Sequence, residues 1–280
     1  MEGKSHSISI VGTGLIGASL GKALSGKFFV KGYDKNPEAL QKAFEIGAVH
    51  RPCKSFSEVF DADIIVLSIP VQFIPTFLKE NRENFRKGSI VTDTGSTKSK
   101  VIEAMRTLPE GVPFIGGHPI AGKEKSGPEY ADKNMFCEKK FVLTKENNLT
   151  EKDKKLILET VYETGALPIF MEAKLHDRIL AYTSHFPYLI SSALFKLAFD
   201  KEAEIPNIFD FAGSGLRDTT RIASGDPVMS VGMLETNSEN IESITEEYIR
   251  VLSGMLAKLK RGELSEELKR IKERRDKIWK

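Results

Sequence analysis

Residues 8–34 constrain the fold more than any other stretch of the chain. The apolar run Ile8-Ser-Ile-Val11 leads into Gly12-Thr-Gly14-Leu-Ile-Gly17, a helix-like run continues to Ser25, and residues 28–33 read as a second strand closed by Asp34. In a G-x-G-x-x-G spacing of this kind, Gly12 permits a tight turn, Gly14 lets the backbone approach a pyrophosphate, and Gly17 lets the helix pack against the strand. The free N–H groups and the dipole of that helix then face the phosphates. Leu15 and Ile16 in the loop, with Ser68, Pro70 and Thr94, complete the set of candidate cofactor contacts. Asp34 follows Gly17 by 17 positions, where a carboxylate accepts hydrogen bonds from ribose hydroxyls and repels a 2′-phosphate. This favours NAD. Lys35 could contact a phosphate and keeps NADP open as the alternative.

The rest of the N-terminal half repeats the alternation of strand and helix. Residues 36–47 read as a helix with Pro37 in its first turn and Leu40, Ala43, Phe44 and Gly47 on one side. Residues 63–70 are a short continuous apolar run, the pattern of a parallel strand covered on both faces. Further strands are expected at 89–93, 113–117, 140–144 and 166–171, with helices at 97–108 and 150–164. The pattern predicts an α/β domain over residues 1–171, a doubly wound, mostly parallel sheet of the Rossmann type. From residue 172 strand alternation stops. Long helical patterns at 173–199 (interrupted at Pro187), 227–260 and 264–279 predict an all-α second domain over 172–280, with a site in the cleft between the two.

Composition narrows the partners. A net charge of +2 over 280 residues argues against a nucleic-acid or membrane surface as partner, and no stretch approaches a transmembrane length. The first residues run almost directly into a strand, so no signal peptide is expected. Cys53 and Cys137 have neither metal nor redox spacing; they suggest reduced thiols, a cytoplasmic location and buried filler roles, and no metal is expected.

Four clusters carry candidate chemistry. Asp93-Thr-Gly-Ser96-Thr-Lys98 follows a strand, where hydroxyls reach a cofactor crevice; Ser96 or Thr97 could equally cap the next helix. Gly116-Gly-His118-Pro-Ile-Ala-Gly122-Lys-Glu124-Lys-Ser126-Gly127 reads as a rigid loop presenting one histidine, a suitable acid–base group near pH 7. Glu124 could orient His118, bind a cation or pair with an arginine. In Tyr182-Thr-Ser184-His185-Phe-Pro187-Tyr188, Pro187 predicts a kink that either turns backbone and hydroxyl groups to a ligand or merely packs. Arg217 and Arg221 lie four residues apart; arginine's bidentate geometry suits a carboxylate substrate, with Arg221 the candidate and Arg217 left to an ion pair or interface.

With GTGLIG and Asp34, the strings DTGSTK, GGHPIAGKEKSG, HDRILAYTSHFP and GLRDTTRIASGDP, in that order, make the chain resemble the prephenate/arogenate (cyclohexadienyl) dehydrogenases of tyrosine biosynthesis across almost its whole length. The resemblance implies oxidative decarboxylation of a cyclohexadienyl acid: hydride passes to NAD, carbon dioxide leaves, and the ring becomes aromatic. It implies that His118 draws off the ring-hydroxyl proton, that Ser96 hydrogen-bonds that hydroxyl or His118, and that Arg221 binds a substrate carboxylate with Glu124 balancing it. Ser126, Ser184, His185 and Tyr188 are expected around the substrate. Many relatives that use prephenate carry a second histidine where this chain has Tyr188, which leaves prephenate and arogenate both open, with prephenate favoured. The resemblance also implies a homodimer through the helical domain. Because the chain begins at the dinucleotide strand and ends soon after the helical pattern, no fused chorismate mutase or C-terminal regulatory domain is expected.

Overall fold

Short apolar strands, buried on both faces, build the core of the N-terminal sheet. The computed structural model describes residues 6–123, 125–145 and 148–279. Strands β1 (Ser7–Val11), β2 (Phe29–Tyr33), β3 (Arg51–Pro52), β4 (Ile64–Leu67), β5 (Ile90–Asp93) and β6 (Phe114–Ile115) form one parallel sheet in the order β3-β2-β1-β4-β5-β6. All residues of β4 and β5 are buried. Ile64 and Val66 join the core cluster containing Ile8 and Ile10, whereas Ile65 and Leu67 join the one containing Val91, so the two-residue period serves two covered faces. Helices α1 (Leu15–Leu24), α2 (Pro37–Glu45), α3 (Phe56–Val59), α4 (Ile74–Glu80) and α5 (Ser99–Met105) connect these strands. Strand order reverses between β1 and β4, which leaves a crevice beyond their carboxyl ends.

Local signals explain several boundaries. Asn36 Oδ1 accepts from the Glu38 N–H at 2.9 Å to start α2, with Pro37 in the first turn. Of its expected apolar side, Ala43 is fully buried but Phe44 remains 44% exposed.

After β6 the chain leaves the sheet. Strands β7 (Gly117–Pro119), β8 (Lys140–Thr144) and β9 (Leu167–Met171) form a separate three-stranded sheet, β7 antiparallel and β9 parallel to β8. The expected strand 113–117 is thus two strands in different sheets, and His118 lies within β7 opposite Val142, not on a loop. Gly117 serves close packing: a Cβ there would stand 2.4 Å from the Asp93 carbonyl oxygen. Between β8 and β9, α6 (Glu151–Glu163) begins with a reciprocal cap, Thr150 Oγ1 accepting from Asp153 N and Asp153 Oδ2 accepting from Thr150 N.

From residue 173 onward every described element is helical. Helix α7 (Ala173–Leu180) passes through a π-turn at Ala181–His185 into α8 (Phe186–Phe199). Pro187 has no N–H to donate into the preceding turn, and the wider turn just before it accommodates that loss. Helices α9 (Ser214–Thr220) and α10 (Pro227–Thr236) follow. The helix expected over 227–260 is broken at Asn237 (φ −122°, ψ 22°). The chain divides into two compact units, Met1–Asn237 and Ser238–Lys280. Within the second, α11 (Ser238–Arg261) and α12 (Leu264–Ile278) are tied by Lys258 Nζ to Glu267 Oε2 at 2.6 Å. No described helix is long and apolar enough to cross a membrane. Cys53 is buried as expected, whereas Cys137 is exposed.

Candidate active site

A cradle forms at the carboxyl ends of β1, β4 and β5. Gly12 adopts φ +93°, a Cβ on it would lie 2.4 Å from the Ser68 carbonyl oxygen, and a Cβ on Gly17 would lie 1.9 Å from that of Gly12. The turn therefore admits only glycine at both positions. Helix α1 starts at Gly14 with no side-chain cap, which leaves its first N–H groups to an anion. A Cβ on Gly14 would meet nothing within 4 Å, so the backbone there is open to close approach. Asp34 Oδ2 accepts from Thr13 N at 2.6 Å and Thr13 Oγ1 at 3.2 Å, and Oδ1 accepts from Asn36 N at 2.9 Å. The carboxylate stays half-buried with lone pairs to spare for hydroxyl donors. Beside it Tyr33, Phe56, Phe73 and Phe77 line the same cavity, with ring centroids of Tyr33 and Phe56 4.6 Å apart. Phe56 and Phe73 remain 38% and 46% exposed, an open aromatic wall suited to a planar base. These residues fit a dinucleotide.

One cavity of about 800 Å³ takes in both this cradle and His118. It is lined by Gly12, Gly14, Leu15, Ile16, Asp34, Ser68, Pro70, Thr94, Ser96, His118 and Ser126, all anticipated from the sequence. Thr94 Oγ1 donates to Ser68 Oγ at 3.0 Å, joining the ends of β4 and β5. Ser96 has no hydrogen bond to His118, although both line the cavity. Gly225 and Asp226, from the string GLRDTTRIASGDP, and Val228, Met229 and Ser230 in the first turn of α10 supply a wall to which sequence reasoning gave no role.

His118 is anchored through the backbone of the preceding Gly117 and through its own ring. Gly117 N donates to Asp93 Oδ1 at 3.0 Å and Gly117 O accepts from Lys98 Nζ at 2.7 Å, while Lys98 Nζ also pairs with Asp93 Oδ2. Both side chains are fully buried; burial pushes Asp93 up and Lys98 down, and their mutual attraction opposes both shifts. At the ring, His118 Nδ1 lies 2.9 Å from His176 Nε2, and His176 Nδ1 lies 2.8 Å from Asp177 Oδ1. Asp177 also accepts from the backbone N–H groups of Lys98 (2.7 Å) and Ser99 (2.8 Å), capping α5. Burial works to raise the Asp177 carboxyl, but the His176 ring, Ser99 and the two N–H groups together hold it below its ordinary value. Burial first, then His176, Lys98 and His185, hold His118 well below the usual imidazole value of 6.5. His118 is thus neutral at pH 7 and competent to accept a proton.

Other anticipated residues lie outside this lining. Arg221 is exposed on the 3₁₀ turn Arg221–Ser224, Gly17 is buried in packing, Ser184 is exposed, and His185 is fully buried. Tyr188 stands behind the wall, its Cε2 3.3 Å from where a Gly225 Cβ would sit. His185 Nδ1 accepts from Asn237 Nδ2 at 3.0 Å, Asn237 Nδ2 also donates to the Asp177 carbonyl at 2.8 Å, and burial takes His185 down to about 4. The hydroxyl of Thr183 turns back to Ile179 O at 2.8 Å. Arg217 pairs with its neighbour Asp218 at 3.1 Å on exposed surface. Glu124 lies outside the described residues. The cations that do line the cavity are Lys35, Lys123 and Lys125. Sequence reasoning gave no role to His176 and Asp177, although they open the string HDRILAYTSHFP.

A nucleotide cradle and a neutral, anchored histidine on one cavity define the class, a dinucleotide-binding oxidoreductase with a helical C-terminal part. Residues 20–169 match the family model of the prephenate dehydrogenase nucleotide-binding domain and residues 172–273 that of the prephenate dehydrogenase dimerization domain. The chain belongs to the prephenate dehydrogenase family. The prephenate dehydrogenase of Lactococcus lactis subsp. cremoris is 35% identical over 238 residues, 83% of this chain and 65% of the relative, so the chain spans about two thirds of that protein's length. The structure of A. aeolicus prephenate dehydrogenase in complex with hydroxyphenyl propionate and NAD+ matches with a TM-score of 0.90 at 33% identity, over 99% of this chain and 100% of that one. Synechocystis arogenate dehydrogenase matches with a TM-score of 0.81 at 28% identity, over 97% and 99%.

Proposed function

We propose that this chain is a prephenate dehydrogenase: it catalyses the NAD-dependent oxidative decarboxylation of prephenate to 4-hydroxyphenylpyruvate in tyrosine biosynthesis, with arogenate as the alternative substrate. The observation that carries the reading is His118, a neutral imidazole held at its Nδ1 and next to the anchored Gly117 backbone, opening on the cavity that also contains the nucleotide cradle. Gly12, Gly14 and the first turn of α1 hold the pyrophosphate, Asp34 the ribose hydroxyls, and the Tyr33–Phe56 wall the base. The bound dinucleotide supplies the hydride acceptor. His118 accepts the proton of the ring hydroxyl at Nε2 as that carbon–oxygen bond becomes a carbonyl. Ser96 orients the same hydroxyl. The ring carboxylate departs as carbon dioxide and leaves its electron pair to the ring, which aromatises. Arg221 binds the side-chain carboxylate, with Lys125 the lining cation that competes for this role, and Ser126 lines the substrate space, while Tyr188 and His185 back its walls and Ser184 stands outside the lining.

The preference for NAD over NADP rests on Asp34, against which Lys35 is the counterweight. The match to a dimerization domain supports a homodimer through the helical region 172–280. Two unpaired cysteines support a reducing, cytoplasmic setting. The test is formation of reduced nicotinamide by the purified chain with prephenate or arogenate and NAD⁺ or NADP⁺. Turnover with prephenate and NAD⁺ is expected, falling about 10²–10⁴-fold in His118→Ala with little change in NAD affinity. Folded protein that binds NAD but turns over neither substrate overturns the reading, and arogenate-only turnover replaces the substrate.

A further inference from the structure

We propose that His176 and Asp177 are positioning residues that fix His118 in its Nδ1–H tautomer, so that its Nε2 lone pair is the acceptor presented to the cavity. This deepens the reading of His118 as the base and rests on it. Ionised Asp177 only accepts, and its Oδ1 lies 2.8 Å from His176 Nδ1, so that nitrogen carries a proton. His176 is fully enclosed, and the charge of Asp177 is already met by the N–H groups of Lys98 and Ser99. A neutral His176 then satisfies every hydrogen bond with one net charge among the three groups. Its Nε2 is a bare acceptor 2.9 Å from His118 Nδ1, which must therefore donate. His118 Nε2 has no hydrogen-bond partner among the described residues, and His118 lines the cavity. The opposite polarity, with His176 donating to His118 Nδ1, puts the His118 proton on Nε2 and removes its ability to take one from a hydroxyl. The charged and titratable groups facing His118 are His176 from α7, Lys98 from the turn after β5, and His185 from the π-turn, with Asp177 behind His176.

During turnover the substrate O–H bond breaks and an N–H bond forms at His118 Nε2. The positive charge that results is met through Nδ1–H by His176 and, behind it, Asp177. The logic matches the aspartate of a Ser-His-Asp triad, which sets tautomer and orientation without itself taking the proton.

The test reads the ring nitrogens directly by ¹⁵N-edited NMR of the full chain with NAD bound; five histidines make the spectrum assignable by single substitutions. The expected result is His118 protonated at Nδ1 and bare at Nε2. His176→Phe, which keeps a ring but removes the acceptor, is expected to shift His118 toward the Nε2–H form. It should lower kcat about 10- to 150-fold, the range for a lost hydrogen bond to a charged group, with KM and NAD affinity within about twofold. His176→Gln, whose amide oxygen can replace Nε2 as acceptor, should recover most of that loss. Wild-type His118 found as the Nε2–H tautomer overturns the proposal, as does His176→Phe with wild-type kcat and an unchanged His118 spectrum. If His176→Phe does not fold, the wild-type spectrum and His176→Gln still decide. Normal turnover by His118→Ala instead sinks the reading of His118 as base, and the resting-state tautomer is measured independently of it.

Discussion

The buried ion pair beneath His118 sets up a sharp test. Lys98 has no exposed surface, and its ammonium bonds both Asp93 and the carbonyl of Gly117, the residue before His118. Lys98→Met removes the cation while keeping a flexible chain of similar length. Asp93 is then left with the N–H groups of Gly95 (2.7 Å) and Gly117 (3.0 Å) and no opposite charge. Breaking a buried pair from one side costs about 3–5 kcal/mol. Protonation of Asp93 caps that cost: relative to its ordinary value of 3.8, neutralising it at pH 7 costs about 4 kcal/mol, and at pH 5 about 1.6 kcal/mol. The sign follows from the direction of the shift. The folded-state pKa of Asp93 lies above the unfolded one, so its penalty is absent below the unfolded value, grows as pH rises, and levels off above the folded value. Urea unfolding followed by far-ultraviolet circular dichroism at pH 5 and pH 7 should therefore show a larger loss at pH 7. Asp93→Asn combined with Lys98→Met should recover much of the loss, because no charge is stranded. A Lys98→Met protein as stable as wild type at pH 7, or one losing more at pH 5, would refute the reasoning.

The depressed His118 value predicts that kcat/KM stays flat as pH falls to 6.5 and declines only below it, since activity is lost when the base protonates; an acid limb at or above 6.5 contradicts the burial argument. Asp34→Ala should raise the NADP/NAD ratio of kcat/KM and also weaken NAD binding, because Thr13 loses its acceptor; an unchanged ratio removes Asp34 from ribose recognition. Arg221→Ala should raise KM with kcat little changed if the arginine binds a carboxylate in ground and transition states alike, whereas Lys125→Ala showing that pattern instead moves the role to the cavity lining.

What the sequence made legible was local. The glycine turn, Asp34, the strand within 63–70 and helix α6 each depend on residues within a few positions of one another, so pattern and propensity agree with the fold. What it hid was contact across distance. Helix α5 looked as though Ser96 or Thr97 would cap it; the carboxylate of Asp177, 78 positions from Ser99, does so instead. The Gly116–Gly117 pair read as a loop because nothing in sequence says that one sheet ends there and another begins. Asn237 sits in an unbroken helical pattern, yet its side chain bonds Asp177 and His185, and the helix breaks at that residue. Arg221 carries the right charge for a carboxylate but is exposed on a turn outside the cavity lining, and spacing alone gave no warning.

These long-range contacts converge on Asp177, and the convergence explains why a carboxylate stands there. Its two oxygens meet the backbone N–H groups of Lys98 and Ser99, the side chain of Ser99 and the ring of His176. An amide of the same shape would turn an NH₂ group toward at least one of those donors, so Asn cannot satisfy the set that Asp satisfies. The Asp177 carbonyl meanwhile takes the Asn237 amide. One residue on α7 thus ties the turn that carries Ser96 and Lys98 to the ring that orients His118. Lys98 in turn grips the strand on which His118 sits. Side chain and backbone of the candidate base are therefore referenced to the same turn at the end of β5, the strand end that also borders the nucleotide cradle. Fixing base and cradle to one structural datum is what a proton transfer matched to a hydride transfer requires, since an error of about 1 Å between them costs about 10²-fold in rate.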